Sequence, residues 1–282
     1  ITNCVIAHLW HVVPGAHFQR MFGQDLNPYT YELMTTCADH LHSTGSNWTE
    51  ARGGKHNDYG GGHAHVGAMI YLGDNWPDEY RSHLFTCNIH GNRVNQDVLA
   101  RKDSGYVAHH GKDFLLAGDP WFRGLAVEDW AGGGGDGGEW AETGECHNYE
   151  VVDRSNGRIF KITYGQPQPW TTDLAKLDDE ALARMQMHKN AWVANHARRL
   201  LQERYSASGR RSDGAEQLLQ KMLTAEFDAA LQLRALWTLH AMGLAPESLL
   251  TKQMGNKADV VRGWAVQLVV ENKKASPAVV AR

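Results

Sequence analysis

The chain has no run approaching about 18 consecutive apolar residues, the length a membrane-crossing helix needs. It also has no CxxC pair, no lysine behind its glycine run, and no surplus of positive charge. Each absence removes or weakens a class of protein. No segment reads as a membrane span. The four cysteines, Cys4, Cys37, Cys87 and Cys146, stand far apart, which argues against a zinc knuckle and against covalent haem attachment of the CxxCH kind. Two disulfides and four buried thiols both remain open. The run Gly132-Gly133-Gly134-Gly135-Asp136-Gly137-Gly138 lacks the Lys and Ser/Thr of a phosphate cradle and reads as a flexible loop. A net charge of −4 makes no case for nucleic acid. The sequence opens on Ile1 with neither methionine nor a charged, then apolar, leader, and is expected to be a fragment or a processed chain.

What is present is unevenly spread. Residues 1–164 hold 12 Lys+Arg against 20 Asp+Glu, and 13 of the 16 histidines and 23 of the 29 glycines. Residues 165–282 hold 16 Lys+Arg against 12 Asp+Glu. Two materials meet near Gly165-Gln166-Pro167-Gln168-Pro169, a stretch that suits neither helix nor strand.

In the first half, short apolar runs (Cys4 to Trp10, Ala68 to Leu72, Leu84 to Cys87, Phe114 to Ala117, Gly124 to Val127, Arg158 to Tyr164) alternate with Gly, Asn, Asp and Pro clusters, the signature of antiparallel strands. The loop from Cys37 to Gly62 is long enough to suggest function. In the second half, Val193/His196/Ala197/Leu200, Leu233/Leu236/Trp237/His240 and Val261/Trp264/Ala265/Leu268 each follow the i, i+3, i+4, i+7 stripe of a buried helix face. Amphipathic stretches at Ala215 to Leu223 and Glu247 to Met254 lie between them. Paired helices at such spacing predict an α-solenoid, in which each pair buries its face against its neighbours. The last helix is expected to end near Lys274.

Several groups carry chemistry. His40/His42 and His63/His65 are HxH pairs whose imidazoles point to one side of an extended chain, and His109-His110 adds two more. No third ligand is fixed by spacing, so no metal ligand is assigned, and a scaffold that binds zinc or copper through the HxH pairs stays open as a third alternative. Cys146-His147 are adjacent and diverge on an extended chain, which argues against a nucleophile pair. The knot His90-Gly91-Asn92-Arg93 follows an apolar strand where a plain turn would do; Arg93 either faces a ligand or pairs with Asp97. Arg123 precedes the apolar strand that ends at Val127.

The stretches "HVGAMIYLGDNWPDEYRSHLFTCNIHGNRV", "DPWFRGLAV" and "NGRIFKITYG" resemble the PQQ-dependent glucose/sorbosone dehydrogenase family of six-bladed β-propellers. "HLWHVVPGAHFQR" and "GGGHAHVGAMIYLGDNWPDEYR" are similar to its haem-associated membrane-bound dehydrogenase branch of planctomycete-type bacteria, in which a propeller is joined to HEAT repeats. Arg234 and Arg262 match the arginine of such repeats. The resemblance implies a multidomain chain: C-terminal blades of a partial six-bladed β-propeller over 1–164, a linker over 165–177 and HEAT-like α-helical repeats over 178–282, truncated at both ends. It also implies pyrroloquinoline quinone (PQQ) held by His65, His90, Arg93 and Arg123, whose imidazole and guanidinium groups suit its three carboxylates.

The catalytic general base and the calcium ligands are expected in earlier blades, and haem c in a further domain. Two departures stand beside this. Trp121 occupies a place where soluble members carry a second cofactor arginine, and the stretch between Val127 and Thr143 shows no middle strands. The implied function is part of a periplasmic or secreted dehydrogenase that moves hydride from a sugar or alcohol hydroxyl to the quinone and passes electrons to a cytochrome c domain. As supplied, the chain is expected to be inactive alone. The alternative is a non-catalytic module binding polysaccharide, with tryptophans stacking on sugar rings, or a protein partner docked on the repeats.

Overall fold

The computed structural model describes residues 2, 8–19, 27–30, 32–41, 55–62, 65–118, 122, 124, 126–130, 134–137, 159–167, 169–208, 212–224, 226–271 and 275–280. The chain divides into two compact units, Ile1–Pro169 and Trp170–Arg282.

The first unit is antiparallel. After a short helix, α1 (Lys55–Asp58), come β1 (His65–Ile70), β2 (Leu84–Asn88), β3 (Arg93–Lys102), β4 (Gly105–His110) and β5 (Leu115–Leu116). They form one sheet in the order β1-β2-β3-β4, with β5 continuing the β4 side by pairing Leu115 and Leu116 with Val94 and Arg93. A second sheet consists of β6 (Val127–Trp130), β7 (Gly134–Gly137) and β8 (Phe160–Ile162). The described strands make open sheets and no closed ring.

Period-two alternation divides the sheet's two faces. On one, Met69, Tyr71, Phe85, Cys87 and Val94 join Trp76, Phe122 and Val127 in an aromatic-rich core. Trp76 stacks on Tyr71 at 4.4 Å between ring centroids, and its Nε1 donates to the carbonyl of Ile162, fastening β8 to the first sheet. This tryptophan is core, not a sugar platform. Burying each such ring contributes roughly 1.5–3 kcal/mol.

Two elements depart from the sequence expectation. The glycine run, read as a loop without strands, supplies β7: Gly135 pairs with Asp129 on one side and Ile162 on the other. Glycine is a poor strand former, but two flanking strands provide its backbone partners, and that context overrides propensity. The β3–β4 hairpin was not anticipated at all. It closes at Lys102 and Gly105, with Asp103 in the left-handed region at φ 52°, where Asp is better tolerated than most residues.

The second unit has seven helices among its described residues: α2 (Asp179–Arg184), α3 (Ala191–Ser208), α4 (Asp213–Met222), α5 (Ala229–Ala241), α6 (Glu247–Gln253), α7 (Asp259–Val270) and α8 (Pro277–Val280). Asp178, Ser212 and Asp228 cap α2, α4 and α5 by accepting the third residue's amide. Val193 and Ala197 of α3, Leu236 of α5, and Val261 and Ala265 of α7 are fully buried, so the three stripes face the unit's interior. α7 ends at Val270 rather than near Lys274, and Pro277 opens α8 at a position where its missing N–H does no harm.

Candidate functional site

The other face of the first sheet carries the chemistry. Register puts His65 opposite Asn88 and Asn88 opposite Arg93; one step along, Thr86 faces Asn95; then Leu84 faces Asp97, and Asp97 faces His110. Residues directly opposite share a face. The inner row of β2, β3 and β4 is therefore polar at one end and becomes apolar at Leu84 and Ala108, which pack with Leu9.

Two crossing segments close over this row. Cys37 N donates to Leu9 O, Ala108 N to Cys37 O, and Asp39 N to Ala108 O. These bonds set residues 36–40 along β4 and residues 8–10 beside them, delivering His8 and His40 onto the polar row. The rings form a chain: His65 to His8 at 5.1 Å between centroids, His8 to His40 at 5.1 Å and His40 to His110 at 5.4 Å. His8 and His65 are 1% and 2% exposed and Asp97 is 0%.

His40 lies between two carboxylates, its Nε2 3.0 Å from Asp97 Oδ1 and its Nδ1 2.9 Å from Asp39 Oδ1. Asp39 Oδ2 is also 2.5 Å from Nδ1 of the exposed His109. His109 and His110 thus point to opposite faces, as adjacent strand residues must. A ligand atom from each of His8, His40 and Asp97 lies within 4.8 Å of the others.

Electrostatics follows from burial and partners. Burial, reinforced by the neighbouring His65, His40 and His110, pushes the His8 imidazole down to about 2, so it is neutral with a lone pair to offer. Burial likewise lowers His110. Burial also pulls on His40, but hydrogen bonds and charge from Asp97 and Asp39 outweigh it and its value is raised. Asp113 is raised by burial despite its ion pair with Arg93.

Of the expected site residues, two enter this layer. His65 packs on His8, with Asn88 Nδ2 3.3 Å from its Nε2. Arg93 is wholly buried and does not pair with Asp97; its Nη1 is 2.5 Å from Asp113 Oδ2 and its Nη2 donates to Asn57 Oδ1. Asn95 Nδ2 joins Asp113 Oδ1 to the carbonyl of Gly60, to which Asn88 also donates.

His90 sits half-buried on the β2–β3 turn. The knot is largely a backbone device: a Cβ on Gly91 would collide with the Asn88 side chain and with Gly61 O, and Asn92 adopts φ 48°. Arg123, Trp121, His42, His63, Cys4, Cys146 and His147 lie outside the described residues. Cys37 and Cys87 are in no disulfide.

His8, Asp97, Asp113, Asn88 and Asn95 are the members that sequence reasoning missed as ligand or network residues. The available signal was Arg93-x-Asn95-x-Asp97, polar residues at strand period, which register with β2 turns into a buried row.

A cleft of about 500 Å³ adjoins the layer's apolar end, lined by Leu9, Trp10, Cys37, Leu84, Leu99 and Tyr106 among others. Residues 10–133 match a family described as "Domain of unknown function (DUF7133)". That match takes in every layer residue named above except His8 and Leu9 and ends before the helical unit. No curated protein and no solved structure matches the chain.

Proposed function

We propose that the first unit is a sector of an oxidoreductase β-propeller, part of a periplasmic or secreted dehydrogenase acting on the hydroxyl of a sugar or alcohol, with its cofactor seated at the β2–β3 turn. The observation that carries this reading is a single bond: Asn92 Nδ2 donates to Phe122 O at 2.7 Å. It holds the turn bearing His90 against Phe122, the residue that precedes Arg123 in sequence. The four-stranded antiparallel arrangement of β1, β2, β3 and β4 is also the form a propeller blade takes.

The buried layer behind the turn does not fit PQQ. Its charges already balance or run negative: Arg93 is matched by Asp113, and His40 stands between Asp39 and Asp97. Three more carboxylates there would be repelled. A quinone therefore belongs at the turn that carries His90 and is bonded to Phe122, the residue before Arg123 in sequence, with His65 and Arg93 positioning the turn from behind. Bound there, the quinone would supply the hydride acceptor. Calcium, the general base and a cytochrome c electron acceptor would come from other segments of a longer protein.

The helical unit is read as HEAT-like and as the partner-docking part. Both arginines matched to such repeats donate to turn carbonyls: Arg234 to those of Gln186 and His188 in an earlier turn, and Arg262 to those of Asn256 and Lys257 in the turn before its own helix.

The test is calorimetric titration of the chain with PQQ plus calcium and, separately, with oligosaccharides. Quinone binding weakened by His90→Ala supports the reading. Saccharide binding with no quinone binding overturns it in favour of a non-catalytic module.

A further inference from the structure

We propose that His8, His40 and Asp97 form a seat for a first-row divalent transition-metal ion, a site separate from the quinone position and independent of the dehydrogenase reading. Four observations support it together. The three side chains come from distant stretches of sequence, yet each places a ligand atom within 4.8 Å of the others, so that a closing of a few tenths of an ångström brings them onto one ion whose bonds to imidazole nitrogen and carboxylate oxygen run about 2.0–2.2 Å. All three side chains are shut off from solvent, His40 and Asp97 at 5% and 1% exposure and His8 at 1% as a whole residue.

The donor set is also selective. Two imidazoles and one carboxylate suit zinc, iron(II) or copper and not calcium or magnesium, which take oxygen ligands. Three protein ligands leave a coordination position open, the arrangement of a reactive rather than a purely structural centre.

The fourth observation is the outer shell. A ligating histidine characteristically hands its other ring nitrogen to a carboxylate, which fixes the ring's orientation. His40 does this: with Nε2 toward Asp97, its Nδ1 meets Asp39 at 2.9 Å, and Asp39 is braced in turn by His109. His65 and His110 flank the seat through the rings of His8 and His40. A histidine cluster serving only as packing would have no reason to build a carboxylate-backed imidazole pointing at a second buried carboxylate.

The experiment uses the whole chain, stripped with chelator and then titrated with ZnCl₂ or CoCl₂ alone. The expected result is one tightly held ion per chain by elemental analysis. His40→Gln and Asp97→Asn should each weaken binding by more than the roughly 10- to 100-fold typical of outer-shell losses, Asp39→Asn should fall within that range, and His240→Ala in the helical unit should leave it unchanged. Because a ligand variant can fail to fold, far-ultraviolet circular dichroism accompanies each one, and X-ray absorption on the unmutated cobalt-loaded chain reads the coordination shell directly. A shell containing two imidazoles and a carboxylate supports the seat. Weak binding of several ions that is indifferent to His40→Gln and Asp97→Asn, or a shell without imidazole, overturns it. Quinone titration plays no part in this result, so either proposal can fail alone.

Discussion

The guanidinium of Arg93 and the carboxylate of Asp113 meet at 2.5 Å, with the arginine wholly removed from solvent. Taking two charges out of water is costly, and Asn57, Asn95 and the carbonyl of Gly91 offset that cost with further hydrogen bonds to the pair. Removing one partner leaves the other buried and unmatched. Asp113→Ala is therefore expected to destabilise the first unit by about 3–5 kcal/mol, read as a lower urea midpoint by tryptophan fluorescence. Arg93→Met in the same background should recover part of the loss. If Asp113→Ala leaves the midpoint in place, the pair does not anchor the layer.

Gly124 faces Cys87 with no room between them: a Cβ at Gly124 would lie 2.7 Å from the cysteine sulfur and 3.1 Å from Phe122 Cζ. Cys87 belongs to the aromatic core and cannot swing into solvent. Gly124→Ala should cost about 1–3 kcal/mol through overpacking. Cys87→Ala alone should also destabilise, but the two together should be less harmful than their sum, because the second change removes the clash made by the first. Strict additivity in thermal unfolding would mean the two residues do not touch.

How much of this was legible in the sequence differs between the halves. The helices announced themselves because Leu233, Leu236 and Val261 must face a core, and a helix writes that requirement as a 3.6-residue stripe. β3 was illegible for the opposite reason. Its buried inner row is Arg93, Asn95 and Asp97, so the strand that bears most of the site reads as a polar connection. His8 was hidden inside the apolar run from Cys4 to Trp10, and only the bonds tying Leu9 to Thr36 and Cys37 reveal where it points. The two HxH pairs each contributed one member, His40 and His65, to the layer. The ligands that complete a metal seat are long-range in sequence, and no spacing rule reaches them.

In the helical unit, Arg234 Nη1 donates to Gln186 O at 3.0 Å and His188 O at 2.7 Å, tying α5 to the turn after α2. A charged donor to carbonyls is worth about 1.5–3 kcal/mol. Arg234→Ala should lower the melting temperature of this unit by that equivalent, and Arg234→Lys should restore it only in part, since a flexible ammonium loses more freedom per bond than the pre-organised guanidinium whose Nη1 makes both bonds. Full rescue by lysine would show that charge alone suffices.

The pH dependence of the chelator-treated protein tests the layer's electrostatics. His8 and His110 are neutral in the fold because burial depresses them, His8 to about 2 from an ordinary 6.5, and burial lowers His83 in the same sense. As pH falls through 6.5 the unfolded chain takes up protons that the folded chain refuses, so stability falls, by about 1.4 kcal/mol per pH unit for the deeply buried His8. His40 works the other way. Its folded value is raised after Asp97 and Asp39 outweigh burial; its contribution is complete below 6.5 and disappears as pH rises through the raised value. Asp113, raised by burial, binds its proton earlier in the fold than in the unfolded chain and offsets a little of the acid loss near pH 4. Stability of the first unit should thus peak between the two limbs, near neutrality. His8→Gln should flatten the acid limb, and Asp39→Asn, by removing one of the groups that hold His40 up, should flatten the alkaline one. Melting temperatures measured across pH 4 to 9, about the span set by these ordinary values, would contradict this picture if they rose or fell in one direction only, or if His8→Gln left the acid limb as steep as before.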